Sequence, residues 1–95
     1  MLEPFELQKL AREVFARQLP EVALTDLTAE PFFGSDGDEK VRVTLLFDPQ
    51  VVEAITGESA LTLLLAMNDA MQIAGEERFA SIEYATTDDV PVDED

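Results

Sequence analysis

Apolar residues in this chain repeat with a helical period at two places and with a strand period at two others. The two periods alternate, and that alternation most limits the fold. Between Pro4 and Leu19, Leu7, Leu10, Ala11 and Val14 follow the i, i+3, i+4, i+7 rule of an amphipathic helix, and Phe15 widens the stripe. Pro4 suits the first helical turn, Glu6 and Arg17 match the two poles of the helix dipole, and Pro20 stops the segment. Lys9, Glu13 and Arg17 are spaced for opposite-charge pairing one turn apart. Val41, Val43, Leu45 and Phe47 then alternate with Arg42, Thr44 and Leu46, the pattern of a half-buried strand. Its partner is expected within Glu21 to Phe33. There Val22 and Leu24 share one phase while Leu27 and Ala29 share the other, which predicts a bulge or bend near Thr25–Asp26. Gly34-Ser35-Asp36-Gly37-Asp38 supplies the turn between the strands, and Pro31 fits a strand end or an edge.

Asp48-Pro49 is a helix start, with a short helix or single turn over Gln50 to Thr56 closed by Gly57. Ser59 is placed to cap a long helix running to about Ala74, with Gly75 as its stop. Alternation returns over Phe79 to Ala85, a third strand that Phe79 is expected to anchor in the core. Arg78 is expected to pair with nearby carboxylates. The resulting fold class is a small two-layer α+β sandwich in the order αββααβ, with a mainly antiparallel three-stranded sheet and its helices on one face. Residues 1–86 are expected to form one domain and 87–95 a disordered tail, in which Asp88, Asp89, Asp93, Glu94 and Asp95 meet no basic residue.

Charge and missing residue types decide which functions are open. The chain has 95 residues, 21 of them Asp or Glu against 6 Lys or Arg, for a formal charge of −15. Such a surface repels phosphate backbones and anionic lipid and favours basic partners. Neither His nor Cys occurs, which removes the usual neutral-pH base, the thiol nucleophile and the thiolate metal site. No apolar stretch resembling a secretory signal lies within Met1 to Pro20, and the longest apolar run, Leu63 to Met67, is too short to span a bilayer. A cytoplasmic protein without membrane contact is the expectation. Positive charge is concentrated in the first helix, where Lys9, Arg12 and Arg17 outnumber Glu6 and Glu13.

Three groups of residues are candidates for a site. On the long helix, Leu61 and Leu65 fall in or beside the polar stripe made by Thr62, Asp69 and Gln72, where water is expected. Either neighbouring loops or the sheet edge cover them, or they are isolated surface leucines, or they form an interface with a partner or a second copy. Asp36, Asp38 and Glu39 cluster in the presumed hairpin and have the hard oxygen ligands that Ca²⁺ or Mg²⁺ takes, but the full calcium-loop signature is missing. Asp26 and Glu83 are the carboxylates best placed for the partial burial that acid–base catalysis needs, although both also fit outward-facing strand positions. No phosphate loop, serine elbow or HExxH motif is present, and no cofactor is expected.

The order αββααβ is similar to the type II KH-like arrangement, which includes RNA-binding and BolA-type domains. That resemblance implies RNA contact at the junction between the two later helices, through a GxxG loop that clamps the backbone. The junction here reads Thr56-Gly57-Glu58-Ser59, with one glycine and an acidic residue, and the histidine ligand of BolA-type domains has no counterpart. No family is assigned on this basis. The leading expectation is a non-catalytic acidic interaction module (accessory, inhibitor or antitoxin-like) that binds a basic or apolar protein surface through Leu61, Leu65, Asp36, Asp38, Glu39, Asp88 and Asp89. A KH-like domain contacting RNA and a carboxylate-based metal-binding or hydrolytic protein are the alternatives.

Overall fold

A proline and a back-reaching glutamate start the first helix. In the computed structural model, which describes residues 2–87, α1 spans Pro4–Gln18, and the Glu6 carboxylate accepts the Glu3 backbone N–H at 3.0 Å. Leu7, Ala11, Val14 and Phe15 point into the core, as their spacing predicts. Strands β1 (Asp26–Phe33) and β2 (Glu39–Phe47) then form an antiparallel hairpin, with Leu27 opposite Leu45 and Ala29 opposite Val43. Its turn needs Gly37 at φ +88°, and Asp36 accepts the Asp38 N–H at 3.1 Å, a local bond that fixes the loop. Val22 and Leu24 precede the strand and pack, half-buried, against the core. The phase change noted in the sequence therefore marks the passage from loop to strand, since the ladder runs without interruption from Asp26 to Phe33.

Helix α2 is a single turn, Pro49–Val52, and α3 runs from Gly57 to Ile73. The cap of α3 is Thr56 rather than Ser59: its Oγ1 accepts the Ser59 N–H at 3.0 Å, so Gly57 opens α3 instead of closing α2. A Schellman motif closes the helix. Gly75 takes φ +96°, the Glu76 N–H reaches the Met71 carbonyl at 2.8 Å and the Gly75 N–H reaches Gln72 at 3.1 Å.

Strand β3 (Ala80–Thr86) lies parallel to β2, giving a three-stranded sheet of order β1-β2-β3. The element order is αββααβ, as expected, but the sheet is mixed, not mainly antiparallel. The physical reason is the crossover. The 17 residues of α3 cover about 25 Å, close to the length of the strands, so the chain returns to the end of the sheet where β2 began. Thr87, grouped with the tail in the sequence reading, donates its N–H to the Phe47 carbonyl at 2.9 Å. Asp88, Asp89 and the rest of the acidic tail lie outside the described residues.

The core lies between the helices and one face of the sheet. Val41, Val43, Leu45 and Phe47 of β2 are fully buried there beneath Leu7, Val14, Leu63, Met67 and Met71. The Phe47 ring sits 5.8 Å from that of Phe15 and stacks at 6.2 Å on Tyr84. On the other face, the Arg42 guanidinium lies over the Phe32 ring at 4.1 Å and its Nε is 3.4 Å from Glu83, close enough for an ion pair but not aligned for a hydrogen bond. Among the described residues no helix is long and apolar enough to cross a membrane.

Candidate functional site

Helix α3 runs alongside the outer strand of the sheet, and one side chain fixes it there. The Asn68 carboxamide donates to the Ala80 carbonyl at 3.0 Å and accepts the Ala80 N–H at 2.8 Å, imitating a neighbouring strand at that one residue. Near the start of α3, Ala60 meets Tyr84 in the wall of a shared groove. From Ala60 to Asn68 the helix advances about 12 Å, and from Tyr84 back to Ala80 the strand covers about 13 Å. The two elements thus run antiparallel over the same length, with a furrow between them.

That furrow is apolar. Leu61, Leu64, Phe79, Ile82 and Tyr84 line a groove of about 340 Å³. It continues past Val52, Ile55 and Gly57 at one end and past Leu65, Asn68, Asp69 and Glu77 at the other. Leu61 is 58 % exposed, Leu65 62 % and Phe79 54 %. Phe5, Phe33 and Ile73 are exposed as well but line none of these grooves. The Tyr84 hydroxyl is buried in the groove wall and has no hydrogen-bond partner among the described residues. Burial pushes its pKa up, so the phenol remains a neutral donor at physiological pH.

Phe79 corrects the sequence reading, which made it a core anchor. Asn68 holds the backbone of Ala80, and it is Ala80 whose side chain is fully buried, while Phe79 stays at the groove mouth. Leu61 and Leu65 lie one turn apart on the solvent side of α3, opposite the buried Leu63 and Met67, and no loop among the described residues covers them. The hairpin acids line no part of this groove, and two of them are engaged in ion pairs. Asp36 pairs with Lys40 at 3.5 Å, and the Asp38 N–H followed by the Lys40 ammonium holds its carboxyl below the usual value. Glu39 meets Arg78 at 3.1 Å, whereas Asp38 is exposed. No group of three acidic, His or Cys side chains suited to a metal occurs among the described residues.

Neither carboxylate considered for acid–base work is buried. Asp26 pairs with Arg12 at 3.3 Å and Glu83 faces Arg42, and both side chains are more than half exposed. The buried acid is one that the sequence did not single out. Glu76, 1 % exposed, accepts from Leu2 N at 2.9 Å, from Arg78 N and Nε at 2.8 Å and from Arg78 Nη2 at 2.9 Å. Arg78 also donates to the Leu2 carbonyl at 3.1 Å. The Arg78 hydrogen bonds outweigh the effect of burial and lower the Glu76 pKa to about 2. A carboxylate held ionised by four donors closes the start of the chain onto the end of α3. It is not poised to exchange a proton near neutral pH.

Fold and site together define a small two-layer α+β domain with an apolar groove along one edge of its sheet. No protein-family model, curated protein or solved structure matches the chain.

Proposed function

We propose that this protein is a cytoplasmic, non-catalytic interaction module that holds a basic partner protein through the groove between α3 and β3. The observation that carries the reading is the joint exposure of Leu61, Leu65 and Phe79 along one groove on a chain of charge −15. Exposed apolar side chains that share a groove mark an interaction site more strongly than the same residues scattered. The charge selects the partner: it speeds association with a basic surface and opposes self-association and binding to phosphate. Asp69 and Glu77 line one end of the groove, and the lone guanidinium beside them, Arg78, is held by Glu76 and Glu39.

The test is capture from native lysate at low salt, followed by a salt step, with wild-type protein and with the Leu61→Asp/Leu65→Asp double variant. Both positions are exposed, so the variant should keep wild-type stability to within about 1 kcal/mol. A basic protein retained by the wild type, released by salt and missing from the variant is the expected result. Identical eluates from the two proteins would refute the groove. An RNA-rich eluate would instead support the reading suggested by the αββααβ order, with contact at the Thr56–Ser59 turn.

A further inference from the structure

We propose that the groove takes an extended segment of the basic partner as a fourth strand added to the outer edge of β3. The inference rests on the interaction reading above and specifies how the partner is held. In the parallel ladder the Val41 N–H bonds the Phe79 carbonyl and the Thr87 N–H bonds the Phe47 carbonyl. These two bonds set the phase of β3: residues 79, 81, 83, 85 and 87 turn their backbone polar groups towards β2, and Ala80, Ile82 and Tyr84 turn theirs outward. Asn68 occupies the pair at Ala80. Among the described residues nothing pairs with the outward groups of Ile82 and Tyr84, which leaves them as a template beside the groove, the situation in which an incoming chain gains main-chain hydrogen bonds.

Three further features fit a strand rather than a helix or a flat surface. Leu61 and Leu65 stand about 6 Å apart along the axis of α3, and alternate side chains of an extended chain stand about 6.6 Å apart. An added strand would lie about 4.8 Å beyond β3, setting two of its apolar side chains against those leucines and Phe79. The half-buried Tyr84 and Ile82 in the groove wall give the inner face of an added strand an apolar surface to lie against. The other edge of the sheet is protected, because β1 carries Glu30 and Pro31 in its outer half. Charge decides the occupant: a second copy would bring another −15 to the same edge, whereas a strand alternating apolar and Lys or Arg residues offsets it.

The experiment titrates the isotope-labelled full chain with an eight-residue peptide of alternating Val and Lys, followed by nuclear magnetic resonance. A second peptide has the same side chains but N-methyl groups on alternate residues, which block one edge of its backbone. The expected result is movement of the Ile82 and Tyr84 amide signals together with the Leu61 and Leu65 methyl signals, and at least a tenfold loss of affinity on N-methylation. Leu65→Asp should weaken the parent peptide by a similar factor. Methyl signals that move equally with both peptides would overturn strand addition while leaving the groove as an apolar docking site. Signals of Leu61, Leu65, Ile82 and Tyr84 that stay fixed with both peptides would overturn strand addition and the groove reading together.

Discussion

Replacing Glu76 with Gln should cost this fold a large part of its stability. The change keeps the shape of the side chain but removes the charge at the centre of the contact among Leu2, Glu76 and Arg78. Two routes give the magnitude. The Glu76 pKa falls from 4.5 to about 2, which at 1.36 kcal/mol per unit is about 3.4 kcal/mol of stability at pH 7. Breaking one side of a buried ion pair typically costs about 3–5 kcal/mol. The side chains of Glu76 and Arg78 are 0 % and 8 % exposed, so solvent screens the pair little. A lowered carboxyl pKa stabilises the fold fully above the unfolded value, and the contribution drains away as pH falls towards about 2. At pH 3 it should be down to about 1.4 kcal/mol. Urea unfolding followed by circular dichroism, on both proteins at pH 7 and pH 3, tests this. A gap below about 1 kcal/mol at pH 7, or one that does not narrow at pH 3, would refute the reasoning.

Phe47→Ala removes the fully buried ring between Phe15 and Tyr84 and should destabilise by about 3–5 kcal/mol in the same urea assay. Gly75→Ala should cost about 1 kcal/mol, because Gly75 sits at φ +96° with no atom within 4 Å of an added Cβ, so the penalty is conformational alone. Thermal melts in millimolar Ca²⁺ or Mg²⁺ should match those without them, since Asp36 and Glu39 are engaged with Lys40 and Arg78. A rise in melting temperature with Ca²⁺ would revive the hairpin as a metal site.

Most of the architecture was legible because it rests on local signals. The stripe of Leu7, Ala11 and Val14, the alternation through β2 and the glycines at 37 and 75 each dictate a conformation without help from distant residues. The parallel entry of β3 was not legible, since it depends on how far α3 carries the chain, and periodicity is the same in a parallel and an antiparallel neighbour. Leu61 and Leu65 could be singled out because they break the polar stripe of their helix. Phe79 and Asn68 could not. Their roles depend on a contact across 12 residues between Asn68 and Ala80, and an aromatic at the head of a strand reads as core until that contact is known. Glu76 was hidden for a similar reason, as one acid among many, set apart by its bonds to Arg78 and by Leu2 meeting it across 74 positions. Its one sequence signal was Arg78 two residues on, in a stretch otherwise without cations.

The claim that the α3–β3 groove is where a partner sits is tested most directly by placing a photo-crosslinking amino acid at Leu65, and separately at Arg17 on the exposed side of α1. Irradiation in native lysate at low salt should join a basic protein to the Leu65 position, not to the Arg17 position, and the product should disappear when salt is raised before irradiation. The same products from both positions, or none from Leu65, would contradict the account.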